Sequence, residues 1–468
     1  MRGLPTLGWW SGNVAVNDYA RWFRDWTPYI SMHRNRTFVV LLEGEALDHP
    51  NLTNIVHDLA LVHVLGARLV LVHGARPQLD AALPGHGEAG VVFHKGRRVT
   101  RADDLPAILG VFGQQRARLE ALFSTGIPTS PLRETEIGVI GGNFVTARPV
   151  GIVDGIDHEL TGRTRRVHAA RIKAVLDGGA IALLSPLGYS SSGQVFNLAA
   201  DELAVDVALA VAADKLVVFS RAGALRDESG ERISLVSPTE LEAHVTEADP
   251  HLAAVLRASR GGVPSCQIIS YQHDGALLQE LYTAAGAGTQ VRETYDFIRG
   301  ATQEDVASIV EVIRPLEEAG VLVRRSRDRL EEEIDHFLVA DLDRNVVGCC
   351  AVYPFGEVAE LACVAVHPSY REGAPYREGA AWRPESEHAD GRAGPRSRAA
   401  RVGASLLAAA ESRAKTLGAK RLFILTTQTR DWFLDHGFVD AGTDALPAPK
   451  QAMYNYQRNA RVMIKDLG

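Results

Sequence analysis

Glu360-Leu361-Ala362-Cys363-Val364-Ala365-Val366-His367-Pro368, and the run Ser405 to Gly418 (SLLAAAESRAKTLG) that follows an interrupted basic and glycine-rich segment, decide how this chain is read. Between Glu360 and His367 there is almost no polar side chain, the pattern of a strand buried on both faces. From Gly403 the apolar period lengthens. Leu406, Leu407, Ala410, Ala414 and Leu417 share one helix face, and Gly418 closes the helix. A strand, a basic-glycine turn and a helix N-terminus aim free backbone N–H groups and the helix dipole at one point, an anion site that suits a pyrophosphate. Two segments compete for the turn, Tyr370-Arg371-Glu372-Gly373 and the stretch from Arg398 to Gly403 and Ala404, roughly thirty residues apart where a tight loop is expected.

The chain of 468 residues exceeds what one core usually supports, and 46% hydrophobic residues suffice for two domains. A net charge of −7 leaves no electrostatic footprint for nucleic acid or an anionic membrane surface. Cys266, Cys349, Cys350 and Cys363 lie in apolar runs without paired spacing. That pattern predicts buried reduced thiols, no metal site and a cytoplasmic location. No apolar run reaches the roughly eighteen residues of a membrane span, and no signal-peptide core precedes the rest.

Residues 1–34 carry Trp9, Trp10, Trp22, Phe23, Trp26 and Tyr29, the last three near helical spacing. They predict an amphipathic segment with aromatic anchors that makes a subunit contact, forms a lid, or packs on its own domain. From residue 35 to 292, β-rich runs (FVVLLEGEAL, ARLVLVHGARP, AIALLSPLG, KLVVFSR, SCQIISY) alternate with helical ones, among them QVFNLAADELAVDVALAVA. This is the pattern of an open, mainly parallel sheet sandwiched by helices. Gly138 to Val167 reads as β-hairpins. Two strands end in glycine turns, Glu43-Gly44 and His73-Gly74-Ala75-Arg76-Pro77, at the carboxyl edge where such sheets bind ligands. A second unit, 297–468, opens with two helices capped at Thr302 and Ser326. Then come FLVADL, VVGCCAVYPF, the Glu360 strand, the Leu406 helix, KRLFILTT, a helix at TRDWFLDHGF and a last strand at RVMIKDL, an α+β order. The insertion at 372–401 has little to bury, so disorder is expected there.

The Glu360 strand with its basic-glycine turn and helix resembles the acyl-CoA motif of the GNAT acetyltransferases, whose element order 297–468 also follows. The glycine turns of 36–290 resemble the amino acid kinase fold, in its N-acetylglutamate kinase branch. Here Glu43 and Glu45 stand beside the turn where that family has a phosphate-binding lysine, and Ser220-Arg221-Ala222 replaces its Thr-Asp-Val, although Asn197 and Asp201 match its NxxxD. The resemblance therefore implies a kinase fold that no longer phosphorylates. His273 to Thr283, followed by Gly286 and Gly288, resembles the arginine-binding signature of that branch. There, Glu280 would take a guanidinium and the glycine backbone the other end of the amino acid.

Taken together, the chain resembles the bacterial arginine-sensitive N-acetylglutamate synthases, an amino acid kinase-like domain fused to a GNAT domain. That resemblance implies acetyl transfer from acetyl-CoA to the α-amino group of L-glutamate, inhibition by L-arginine, no metal, and a homo-oligomer, with a hexamer as the form the family suggests. It implies Glu360 as the base that an α-ammonium needs before attack, and Thr426 as a hydroxyl that assists the leaving thiolate. Cys363, through its backbone N–H, with Val364, Val366, the arginine at 371 or 398, Gly403 and Ala404, would hold the cofactor. Leu322, Arg324 and Arg458 would meet the acceptor, and His273, Glu280, Gly286 and Gly288 the arginine. Two other readings stay open: an amino acid kinase regulated by its GNAT part, and an arginine-sensing partner protein whose acetyltransferase is impaired by the insertion.

Overall fold

The structure is a computed structural model that describes residues 26–27, 29–83, 93–125, 137–246, 249–283, 286–292, 298–342, 345–367, 398–452 and 460–467, without the side chains of 345 and 398–401. Arg371, Arg458 and most of the 372–401 insertion lie outside the described residues.

The first sheet contains β1 (Thr37–Leu42), β2 (Arg68–His73), β3 (Val139–Gly141), β4 (Ile181–Leu184), β5 (Lys215–Ser220), β6 (Leu235–Val236), β7 (Ser265–Ser270) and β8 (Thr289–Val291). Their order is β6-β8-β7-β5-β1-β2-β4-β3. All neighbours are parallel except the β7–β8 pair. The near-continuous apolar runs follow from burial on both faces. In β1, Val39 and Leu41 pack beneath α3 (Ala200–Val211) and α4 (Pro250–Arg260). Phe38, Val40 and Leu42 pack toward α1 (Leu52–Val64) and α2 (Leu105–Ser124) on the other face. As expected, Val145–Pro149 pairs antiparallel with Gly162–Val167, and Ile152–Val153 with Ile156–Asp157. Two details differ from the expectation. Val195–Asn197 is a strand paired with Leu187–Tyr189, so the helix starts only at Ala200. Gly44–Asp48 is a short helix rather than the end of β1.

The second sheet contains β9 (Ile298–Gly300), β10 (Phe337–Leu342), β11 (Asn345–Phe355), β12 (Val358–Val366), β13 (Arg421–Thr426), β14 (Val439–Ala441) and β15 (Arg461–Asp466), in the order β9-β10-β11-β12-β13-β15-β14. Only β12 and β13 run parallel. One face packs on α6 (Val306–Glu318) and the other on α7 (Arg398–Thr416). Gly418, at φ +84°, closes α7. The helix begins at Arg398, five residues before the Gly403 boundary read from periodicity. Ala399, Ala400 and Arg401 are good helix formers, and nothing between Arg398 and Val402 breaks a helix. Among the described residues no hydrophobic cluster mixes residues of the two sheets.

Helix α7 lies close against β11 because Gly348 has no side chain. A Cβ there would stand 3.0 Å from the Ala365 carbonyl oxygen and 3.0 Å from Leu406 Cδ1. Gly348→Val is expected to cost about 1–3 kcal/mol by overpacking, measured as a lower unfolding midpoint in denaturant.

Candidate active site

Strand β12 pairs with β13 only through Val358↔Arg421, Ala359↔Leu422 and Glu360↔Phe423. Beyond that point β13 stays with β15 as far as Thr426, and β12 stays with β11 as far as Val366. The sheet therefore forks just past Glu360. The facing strand edges there present backbone groups to any extended, amide-bearing chain that lies between them.

At the same place β12 has a bulge. Cys349 pairs with Ala365 and Ala351 with Ala362, so Cys363 and Val364 together oppose Cys350. Cys363 is left-handed at φ +53°, a conformation that costs a non-glycine residue about 1–3 kcal/mol and persists where the surroundings enforce it. The extra residue switches faces. Ala359 and Leu361 belong to the α7 side, Cys363 and Ala365 to the α6 side, and Val364 and Val366 return to α7. Cys363 is buried, and its thiol is lowered by the adjacent Cys349 thiol and by the Arg325 charge.

Glu360 is 6% exposed and lies in register with Tyr353 and Phe423. Lys450 Nζ, from α8 (Ala448–Ala452), lies 2.6 Å from Glu360 Oε2. The approach lies outside hydrogen-bonding directions, so the oxygen has an ion pair but no hydrogen bond. Thr426 stands three residues beyond Phe423, about 10 Å further toward the carboxyl edge. Its Oγ1 lies 2.9 Å from Thr429 Oγ1 and accepts from the Thr429 N–H at 3.2 Å. Leu322 packs with the α6-side cluster that contains Cys363. Arg324 is exposed. Its neighbour Arg325 turns inward. Burial works against the Arg325 charge, but Cys363, Tyr353 and Glu333 more than reverse this and raise its pKa. The N-terminus of α7 offers free N–H groups over Arg398 to Arg401. Gly403 lies a turn further in, where an added Cβ would meet Trp432 Cζ2 at 3.2 Å.

In the first unit the two glycine turns touch. A Cβ on Gly74 would lie 2.9 Å from the Gly44 nitrogen. Beside them, at the carboxyl edge of β1, Glu43 and Asp201 close on His251 from the first turn of α4. His251 Nε2 pairs with Glu43, and Nδ1 lies 3.0 Å from Asp201 Oδ1. Burial alone would lower His251, but Asp201 and Glu43 hold it up at about 11. The imidazole is therefore a cation at neutral pH. Burial raises Glu43 in turn. The carboxyl edge of β1 is thus occupied by the chain's own carboxylates around one internal cation.

At the other candidate site, α5 (Ala276–Tyr282) follows exposed His273. Buried Glu280 accepts through Oε2 from the N–H groups of Ala287 and Gly288, both at 2.9 Å, so this carboxylate clasps the glycine loop. Gly286 is left-handed at φ +61°. A Cβ on Gly288 would stand 2.2 Å from the Ile268 carbonyl oxygen. Of the aromatic N-terminal segment, the described residues pack on their own unit. Trp26 stacks on Tyr282 at 5.6 Å, and His33 Nε2 lies 2.8 Å from the Leu281 carbonyl oxygen. On the adjacent α1, burial and the nearby Asp274 raise Asp58 to about 7.

Residues 36–270 match the amino acid kinase family, and residues 306–373 the acetyltransferase (GNAT) family. Amino-acid acetyltransferases of Ectopseudomonas mendocina and Azotobacter vinelandii are 43% and 44% identical over 97% of this chain and all of theirs. The chain belongs to the amino-acid acetyltransferase family. Among solved structures, the N-acetylglutamate synthase of Neisseria gonorrhoeae complexed with coenzyme A and L-arginine matches with a TM-score of 0.79 and 32% identity, over 96% of this chain and 99% of that one. The same enzyme with coenzyme A and N-acetyl-glutamate matches with a TM-score of 0.59 at the same identity and coverage.

The α/β architecture, the two-fold family resemblance and N-acetyltransferase chemistry expected from the sequence therefore hold for this acetyltransferase. Among the described residues no helix is long and apolar enough to cross a membrane, and no group of three or more His, Cys, Asp or Glu side chains is arranged to hold a metal ion. The structure brings Glu360, Cys363 and Val364 to the fork, and Glu280, Gly286 and Gly288 to one loop. His251, Arg325 and Lys450 were missed by sequence reading: His251 meets Glu43 and Asp201, and Lys450 meets Glu360, only across long separations, and Arg325 sits in a run of arginines with no sign of which one turns inward.

The His251 cation gives a pH signature. A raised pKa contributes stability in full below the unfolded value near 6.5, and that stability is lost as pH rises through about 11. His251→Gln is expected to lower the unfolding midpoint at pH 7 and to flatten its decline toward pH 11. The loss should fall below the about 3–5 kcal/mol of a fully buried pair, because Glu43 can take up a proton. Thermal unfolding across pH tests this, and an unchanged alkaline slope would place the charge elsewhere.

Proposed function

We propose that this chain is an N-acetylglutamate synthase, moving the acetyl group of acetyl-CoA to the α-amino group of L-glutamate in the first step of arginine biosynthesis, with L-arginine inhibiting it through the first unit. What carries the reading is the fork of β12 from β13, with left-handed Cys363 on one side and buried Glu360 at its base. The gonococcal structures, holding coenzyme A with L-arginine or N-acetyl-glutamate, support both ligands. The enzyme works in the cytoplasm as a homo-oligomer, a hexamer.

In this reading Glu360 accepts the proton that the α-ammonium must lose. The free amine attacks the acetyl carbonyl carbon, and the Cys363 N–H donates to the oxygen as it gains charge. As the C–S bond breaks, the Thr426 hydroxyl helps protonate the leaving thiolate. Val364 and Val366 line the cofactor's edge of the fork. Arg398 stands at the α7 N-terminus, where a pyrophosphate would lie, with Arg371 the alternative. Arg324 and Arg458 hold the acceptor carboxylates with Leu322 beside them. His273, Glu280, Gly286 and Gly288 form the arginine site.

Coenzyme A thiol release from acetyl-CoA should depend on glutamate, far exceed that with aspartate or glutamine, and fall when arginine is added. Glu360→Gln should lower kcat by about 10²–10⁴-fold, and an unaltered kcat would give the proton to another base. Separately, arginine should raise the melting temperature of the wild type but not of Glu280→Gln. An equal rise in both would move arginine away from Glu280.

A further inference from the structure

The buried Glu360 carboxylate stands in register with Phe423, which belongs to the apolar cluster of Phe355, Val358, Phe423, Leu446 and Val462. The described cation that answers it is Lys450. Its Nζ is 2.6 Å from Oε2, yet off the hydrogen-bonding direction, while the side chain keeps 26% of its surface exposed. Its position is set from three sides. The Lys450 N–H donates to the Pro447 carbonyl at 2.8 Å, Gln451 Nε2 donates to the Leu446 carbonyl at 2.7 Å, and Nζ lies 5.7 Å from the centre of the Phe355 ring.

A second cation at the same carboxylate is repelled by the first where water is scarce. An acceptor that delivers an α-ammonium to Glu360 therefore competes with Lys450. The same acceptor brings an anion two bonds from that nitrogen, the carboxylate on its α-carbon. The displaced ammonium of Lys450 then has a partner beside the one it left.

We propose that Lys450 is a positioning residue for acyl transfer, the counter-ion of Glu360 in the free enzyme and the partner of the acceptor's α-carboxylate once the acceptor's ammonium has reached Glu360. The exchange keeps charges matched in both states, so neither the buried base nor the arriving carboxylate is left unpaired. It makes the α-carboxylate a requirement for productive binding, and gives Arg324 and Arg458 the remaining task of holding the acceptor's other end. The proposal rests on the reading of Glu360 as base and L-glutamate as acceptor.

The test compares wild type, Lys450→Met and Lys450→Arg by coenzyme A thiol release, with L-glutamate and with its α-carboxamide as acceptors, alongside unfolding midpoints. Lys450→Met is expected to raise the KM for glutamate by about 10–100-fold, to leave the KM for acetyl-CoA unchanged, and to erase most of the wild-type preference for glutamate over the α-amide. Lys450→Arg is expected to restore much of that preference. If Lys450→Met keeps the full preference while the wild type is active, the proposal falls and the proposed function stands. Equal loss in Met and Arg variants, with the preference intact and the midpoint lowered, would make Lys450 merely structural. A wild type that releases no thiol with glutamate would overturn the functional reading itself.

Discussion

The catalytic half of this protein depends on an interruption of backbone hydrogen bonding. Strands β12 and β13 share a ladder for three residue pairs and then part. A sheet that stayed zipped would be more stable and would have no room for a thioester. The bulge at Cys363 supports the parting from the other side, because one surplus residue re-aims every side chain that follows it. Strain at φ +53° is tolerated because β11 and the helices on both faces of the sheet fix the surrounding chain.

The first unit has the sheet of the amino acid kinase family, with touching glycine turns and an acidic first turn of α3, and its carboxyl edge carries Glu43 and Asp201. Two carboxylates in that position would repel each other and any phosphate. His251 cancels part of that charge from within. The result is a site satisfied by its own side chains.

Much of this was legible in the sequence, for physical reasons that differ by element. Runs such as Phe38 to Leu42 and Leu69 to Val72 are apolar at every position because both faces are buried, and such runs announce a parallel sheet. Val195–Asn197 was absorbed into the following helix because a short strand abutting an alanine-rich helix leaves no break in hydropathy. The start of α7 was placed late because a glycine read as a turn is here a packing accommodation for Trp432. The bulge left no trace, since an extra residue within a continuous apolar run changes neither composition nor period. Glu360 and Thr426 could be named from motif resemblance. Lys450 could not, because a lone lysine in a proline- and alanine-rich stretch looks like any solvated cation until the chain is folded.

Helix α5 has only seven residues, too few to persist on its own in water. Trp26 lies flat on Tyr282 at its last turn, and His33 reaches the carbonyl of Leu281. The segment that enters the fold first thus serves as a splint for an element more than two hundred positions downstream, and the clasped glycine loop inherits its order from that splint. The order of that loop is thus tuned by residues far from it in sequence, so the stretch around Trp26 and His33 can drift only as far as its hold on Tyr282 and Leu281 allows.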